Sequence, residues 1–275
     1  MTSSLFSLRD KNALVTGATG LLGREHCLAL AEAGARVIIA DLNSEHCTAW
    51  AQELESRYPL GHRPLVMDVG SDESVHRAVG SLIMDIERID VLVNNAAMND
   101  KVEGKTTDGD TALVTPADYP AKVFHDILNI NVTGVLRCIQ AIGRYMIAQK
   151  SGSIINIAST YGIVAPNQDL YVRPDGSRLM YKSPAYSASK AAVIALTQYY
   201  ASAWGEYGVR VNTLSPGGVE NAQEEWFIEG YKQKTALKAM ARPDDYRGAI
   251  VFLAGLGSRY MTGANVVVDG GWTAM

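Results

Sequence analysis

"ALVTGATGLLGREHCLAL", residues 13–30, runs from a β-branched apolar stretch into a helix-period pattern through Gly17, Gly20 and Gly23. Glycines at a strand-to-helix turn let the backbone bend tightly and approach a pyrophosphate. The free N–H groups and positive dipole end of the following helix then face that anion. The same glycines also suit plain close packing, so the triplet has to be read with its surroundings. "RVIIAD", residues 36–41, supplies a second strand ending on Asp41, 24 residues beyond Gly17. A carboxylate there accepts the ribose hydroxyls of an adenosine and repels a 2′-phosphate, which favours NAD over NADP. Asp41 also fits a helix N-cap, and Arg24 and Arg36 leave a phosphate reading open.

The same alternation continues outward from this turn. Ala13–Val15, Val37–Ala40, Leu65–Asp68, Val91–Asn94, Ile154–Ala158, Val209–Leu214 and Val266–Asp269 are near-continuous apolar runs, as expected of strands covered on both faces. Helical spacing fills Leu22–Ala33, Glu45–Arg57, Asp72–Glu87, Ala121–Gln149, Pro184–Trp204 and Asp244–Ala254. Alternating β and α units predict an α/β fold, a Rossmann-type doubly wound sheet of about seven parallel strands with helices on both faces. No repeat or linker divides the chain, so residues 1–275 are expected to form a single dinucleotide-binding domain. Three irregular segments, Met98–Pro116, Tyr161–Ser183 and Gly217–Ala241, follow strands. They are expected to gather at the carboxyl edge, where open α/β sheets bind ligands.

Composition narrows the function. A chain of 275 residues that is 47% hydrophobic with a net charge of −4 carries no basic patch for nucleic acid or anionic membrane. Apolar runs are too short to span a bilayer, and the amino end does not read as a signal peptide. A cytoplasmic protein acting on a small molecule is expected. Cys27, Cys47 and Cys138 form neither a disulfide framework nor a metal site, and His26, His46, His62, His76 and His125 lack ligand spacing, so no metal is expected.

"SPAYSASKAAV", residues 183–193, places Tyr186 one helical turn before Lys190. Ser183-Pro184 suits an N-cap followed by proline at the first helical position, so the phenol and the ammonium share a face. An ammonium near 4 Å from a phenolate is worth about 4 kcal/mol at an effective dielectric of about 20. That is enough to bring a phenol that ionises near pH 10 toward neutrality, where it can exchange a proton. Alone, the spacing also fits an exposed face on which the two side chains merely stack. Its company is "GSIINIAST", a strand ending at Ser159, and "ILNINVTG", which sets Asn131 within a helix where water or a backbone carbonyl must engage it. "VLVNNAAM" ends the fourth strand at Asn94-Asn95, and "NTLSPGGV" reverses the chain at Pro216-Gly217.

Together these motifs, spread over essentially the whole chain, resemble the short-chain dehydrogenase/reductase family in its compact, single-domain branch. The resemblance implies a catalytic tetrad of Asn131, Ser159, Tyr186 and Lys190. Ser159 would orient the substrate oxygen and Tyr186 exchange its proton. Lys190 would bind the nicotinamide ribose and depress the phenol, and Asn131 would hold a water of the proton relay. Cofactor positions implied are Gly17, Gly20, Leu22, Gly23, Asp41, Leu42, Asp68, Val69, Asn95, Ala96, Ala97, Tyr186, Lys190, Pro216, Gly217 and Val219. The expected reaction is hydride transfer between NAD and a secondary alcohol or its ketone.

Some positions depart from the family pattern. Leu21 stands where this branch usually has glycine, Ala97 replaces a usual glycine, and Asn221 stands where threonine is common. Ser159 and Tyr186 lie 27 residues apart, about double the usual gap, and the added segment brings Gln168, Asp169, Tyr171, Arg173, Arg178, Tyr181 and Lys182 toward the mouth. With the polar loop after Asn95, these residues predict walls for a hydrophilic substrate, a sugar, polyol or sugar phosphate, with arginine pairing to phosphate or carboxylate. The same loops also fit solvent-facing decoration or subunit contacts. The C-terminal half is similar to dehydrogenases of surface-sugar and flagellin-glycan biosynthesis. Competing readings are a reductase of lipid-like ketones, which predicts an apolar mouth, and an NAD-binding scaffold that has lost chemistry. The helix after Lys190 is apolar around much of its circumference, and the resemblance implies a homodimer or homotetramer.

Overall fold

The computed structural model describes residues 2–99, 103–105 and 111–275. A short helix α1 (Thr2–Phe6) leads into β1 (Asn12–Thr16). The chain then alternates α2 (Leu21–Glu32), β2 (Arg36–Asp41), α3 (Ser44–Arg57), β3 (Arg63–Val66), α4 (Asp72–Asp85) and β4 (Val91–Asn94). A small hairpin of β5 (Glu103–Lys105) and β6 (Thr111–Leu113) precedes α5 (Ala121–Leu128), a π-helical turn at Asn129–Thr133 and α6 (Gly134–Gln149). After β7 (Gly152–Ile157) come α7 (Pro184–Trp204), β8 (Val209–Pro216), α8 (Glu225–Gln233), α9 (Arg247–Ala254) and β9 (Asn265–Val268).

Seven strands form one parallel sheet in the order β3-β2-β1-β4-β7-β8-β9. Right-handed crossovers give this order when the chain winds first to one side of β1 and then to the other, opening a crevice beyond the carboxyl ends of β1 and β4. Alternation along each strand splits the apolar runs between two cores. Leu14, Ile38, Leu92 and Ile154 pack under α4, α6 and α7, while their neighbours Val15, Ile39, Val93 and Ile155 pack under α2, α3 and α9. Coverage on both faces is why the strands read as unbroken apolar runs.

All seven expected strands are present, with their ends shifted by a few residues. The third stops at Val66 because Asp68 belongs to a turn, its carboxylate accepting the Gly70 N–H at 2.8 Å. The long helix expected over Ala121–Gln149 is split by the π turn around Asn131. Expected helix at Asp244–Ala254 begins at Arg247, because Pro243–Tyr246 forms a 3₁₀ turn. The segment Gly217–Ala241 is not wholly irregular, since α8 folds within it. Of Met98–Pro116, residues 100–102 and 106–110 lie outside the described residues. No helix among the described residues is long and apolar enough to cross a membrane. Nor do the described residues bring three or more His, Cys, Asp or Glu together as a metal group.

Candidate active site

The residues singled out from sequence converge on the carboxyl edge of the sheet because each follows a parallel strand. At the end of β1, Gly17 has φ +60°, and a Cβ there would lie 2.8 Å from Ala96 Cα. A Cβ on Gly23 would lie 2.0 Å from the Gly17 carbonyl oxygen. The turn therefore folds on itself in a way only glycine allows at these two places. Gly20 opens α2 without a side-chain cap, leaving the first helical N–H groups facing the crevice. Leu21 takes the first helical position, exposed, and Leu22 lies on the cleft wall.

Asn95 ties β4 to this turn. Its side-chain amide donates to the carbonyls of Thr16 and Gly17, both at 3.0 Å, and its N–H donates to Thr16 Oγ1 at 3.0 Å. Ala96 N–H donates to the same hydroxyl. At the end of β2, Asp41 Oδ2 accepts from the Thr19 hydroxyl at 2.6 Å and the Thr19 N–H at 3.0 Å, while Oδ1 accepts from Leu42 N–H. The helix-cap alternative for Asp41 is excluded, because Asn43 caps α3 by accepting from His46 N–H. Arg24 is engaged with Glu53 at 2.8 Å and stacked 3.7 Å from the Trp50 ring centre, and Arg36 begins β2 at the opposite edge, donating to the Leu60 carbonyl. Asp68 and Val69 follow β3 on the same edge as Asp41, with Val69 packed against Gly134.

A cleft of about 360 Å³ gathers Leu22, Asn95, Ala97, Ser159, Tyr186, Lys190, Pro216, Gly217 and Val219. Ser159 ends the stretch after β7, its hydroxyl accepting from Tyr161 N–H at 3.2 Å. Tyr186 lies in the first turn of α7, capped by Ser183, whose hydroxyl accepts the Tyr186 N–H. Burial pushes the phenol above its ordinary range, and its hydrogen bond with Ser159 pulls it back in part. Lys190 is 4% exposed and donates to the Ile157 carbonyl at 2.8 Å. Burial pushes its ammonium down to about 8. Its nitrogen is 5.7 Å from the Tyr186 ring centre.

Asn131 sits behind the cleft, in the π turn. Its carboxamide oxygen accepts from Met98 N–H at 2.7 Å, and its amide donates to the Met98 carbonyl and to Ser189 Oγ at 2.9 and 3.0 Å. The Met98 carbonyl is a backbone partner of the kind expected for this buried side chain. Asn131 thereby joins the loop after β4 to α7.

The inserted segment differs from its expected role. Arg178 donates to the Gln168 carbonyl at 2.7 Å and stacks on Tyr181, Arg173 donates to Ser177, and Gln168 bonds the Lys182 backbone. The two arginines hold the segment together rather than lining the cleft. Tyr171 and Lys182 do reach the wall, joined there by Tyr161, Phe227, Tyr231 and Met240. Behind them Tyr231 stacks on Trp272, and the Tyr161 and Tyr171 hydroxyls meet at 3.4 Å. Sequence reasoning missed Thr19, Tyr161, Tyr231 and Trp272. Tyr161 stood two places after Ser159 and Thr19 stood inside the glycine turn as signals, whereas Tyr231 and Trp272 are brought in by α8 and the chain end.

The cradle fits a dinucleotide. A Cβ on Gly17, Gly23 or Gly217 would meet backbone within 2.9 Å, so these turns pack tightly on the chain itself, and the uncapped start of α2 leaves N–H groups that suit a ligand's phosphates. The sequence profile of the short chain dehydrogenases matches residues 11–172, more than half of the chain. The chain belongs to that family. A profile described as enoyl-(acyl carrier protein) reductase matches residues 175–273. The dehydrogenase is 33% identical to the D-threitol dehydrogenase of Mycolicibacterium smegmatis, over 98% of this chain and 95% of that one. It is 30% identical to the post-translational flagellin modification protein A of Campylobacter coli, over 96% and 99%. Among solved structures, a gluconate 5-dehydrogenase from Burkholderia cenocepacia, in complex with NADP and tartrate, superposes with a TM-score of 0.87 over the full length of both chains at 27% identity. Family membership makes this chain a nicotinamide-dependent oxidoreductase and bears out the resemblance to enzymes of sugar and flagellin modification.

Proposed function

We propose that this dehydrogenase uses NAD to oxidise a polar secondary alcohol, a sugar, polyol or sugar derivative, or to reduce the matching ketone. The observation that carries the reading is the Ser159–Tyr186–Lys190 cluster opening onto the glycine turn at one cleft. When bound, the nicotinamide supplies the hydride chemistry. Ser159 holds the carbinol oxygen beside Tyr186, whose phenol oxygen gives or takes the hydroxyl proton. With its phenol above the ordinary range, Tyr186 is protonated at neutral pH, the form that donates to a carbonyl oxygen. Lys190 supplies positive charge beneath the site and a donor for a ribose hydroxyl. Asn131 acts by position, fixing the Met98 loop against α7.

The Asp41 carboxylate at the end of β2 supports NAD, since a 2′-phosphate there would meet like charge. Arg24 is already paired, and Arg36 stands at the other edge. The Burkholderia enzyme binds NADP, so the preference proposed for this chain rests on Asp41. Names of the threitol and gluconate dehydrogenases support a polyhydroxy substrate. A second reading, reduction of a ketone with an apolar chain, is favoured by Phe227 and Met240 on the wall and by the reductase profile over the C-terminal part. We also place the protein in the cytoplasm as a homodimer or homotetramer. Three free, buried cysteines and the exposed Tyr199 on α7 support that placement.

Tyr186→Phe tests the reading. Turnover of a panel of polyols and apolar alcohols with NAD is expected to fall by about 10²–10⁴-fold, with NADH affinity held within threefold. Substantial turnover by the variant would remove Tyr186 from its role.

A further inference from the structure

One wall of the cleft is made of aromatic rings that other rings hold in place. Tyr161, two residues after Ser159, and Phe227, from α8, are half-buried and border the cleft. Each is backed by a buried ring. Tyr161 meets Trp272 edge-on, with centres 6.4 Å apart at 71°, and Phe227 packs on Tyr171 at 5.6 Å. The Tyr161 and Tyr171 hydroxyls, 3.4 Å apart, join the two pairs. Tyr231 completes the frame, stacking on Trp272 at 4.5 Å and 18° while its hydroxyl accepts the Gly218 N–H at 2.5 Å. The segment after β7, α8 and the chain end thus meet in a small core of their own, separate from the two cores of the sheet.

Rings locked by their neighbours cannot turn aside to follow a flexible ligand. They offer fixed faces of negative potential, with the tyrosine hydroxyls at the edges. An open-chain polyol carries hydroxyls all round its skeleton, and laying it on these faces takes hydroxyls out of water with nothing in exchange. A pyranose or cyclitol with equatorial hydroxyls gathers its C–H bonds on two flat sides and its hydroxyls at the rim. The flat side suits the ring faces, and the rim suits the hydroxyls of Ser159, Tyr161 and Tyr171. A wholly apolar ring would cover those hydroxyls without pairing them, at a cost.

We propose that Tyr161 and Phe227 are specificity-determining residues and that the preferred substrate is a closed-ring polyol, a pyranoside or cyclitol, whose C–H face lies on these two rings while a ring carbinol meets Tyr186 and Ser159. This rests on the dehydrogenase reading above and narrows its sugar or polyol to a ring. It departs from the open-chain compounds in the names of the threitol and gluconate dehydrogenases.

Binding to the enzyme–NADH complex tests this without knowledge of the natural substrate. The probes are ring and chain pairs, methyl glucopyranoside against glucitol and myo-inositol against galactitol, with cyclohexanol as the apolar ring, titrated calorimetrically. Wild type is expected to bind the ring of at least one pair about tenfold or more tightly than its chain, and more tightly than cyclohexanol. Phe227→Leu, which keeps apolar bulk and removes the π face, is expected to lower that ring-to-chain ratio about fivefold or more. Phe227→Tyr and Tyr161→Phe, which keep the faces, are expected to hold it within threefold. A Phe227 that only packs α8 would shift ring and chain together and leave the ratio alone, which overturns the proposal. Chains that bind as tightly as rings overturn it too, and cyclohexanol binding more tightly than the ring polyols overturns it in favour of the apolar reading. Failure of the dehydrogenase reading shows separately, as no binding of NADH or NADPH in the first titration.

Discussion

The Lys190 ammonium and the Ile157 carbonyl are joined by a 2.8 Å hydrogen bond at the floor of the cleft, and the lysine is there almost wholly shielded from water. One neutral acceptor does not replace the hydration of a buried cation, and the ammonium falls to about 8 from its ordinary 10.5. A positive charge kept here at neutral pH is held against the stability of the fold, an arrangement expected where charge serves chemistry.

Removing that charge should therefore stabilise the protein while disabling it. Below pH 8 the folded state holds an ammonium that the unfolded chain solvates better, a cost of about 3 kcal/mol. The cost disappears as pH rises from 8 to 10.5, because the folded protein releases the proton first. Lys190→Met is expected to be more stable than wild type by about 2–3 kcal/mol at pH 7 in urea unfolding, with the gap closing by pH 10.5. A variant less stable than wild type at pH 7 would contradict this.

The glycines of the first turn should not be interchangeable. A Cβ on Gly23 runs into the Gly17 carbonyl at 2.0 Å, whereas the nearest atom to one on Gly20 is at 3.4 Å. Gly23→Ala is expected to weaken NADH binding by about 30-fold or more by opening the turn, and Gly20→Ala by no more than about threefold. Fluorescence titration of the two variants checks the order, and equal losses would show that the turn is not what sets affinity.

The sheet was legible because parallel strands covered on both faces leave unbroken apolar runs, and Gly17, Asn95, Ser159 and Pro216 were placed by ending such runs. The capping of α7 was legible too, since Ser183-Pro184 states it locally. What could not be read depends on tertiary partners. Nothing local announces that Asp41 will bond Thr19, that Asn131 will take the Met98 backbone, or that Arg178 will turn inward to Gln168.

His26 offers a test of the core. It lies fully buried in α2, neither ring nitrogen has a hydrogen-bond partner among the described residues, and burial pushes it down to about 3 from 6.5. Because the folded value is the lower one, its contribution is complete above pH 6.5 and is lost as pH falls from 6.5 toward 3. At pH 4.5 the loss from this group is about 2–3 kcal/mol. His26→Leu is expected to lose that much less stability than wild type between pH 7 and pH 4.5, and identical losses would show that His26 is not a group limiting acid stability.

The most direct measurement is the titration of the purified protein with NADH and with NADPH, followed by nicotinamide fluorescence, beside an Asp41→Ala variant. The account predicts NADH binding at least tenfold tighter than NADPH in wild type, with Asp41→Ala narrowing the difference. Binding of neither dinucleotide, or NADPH binding as tightly as NADH, would contradict it.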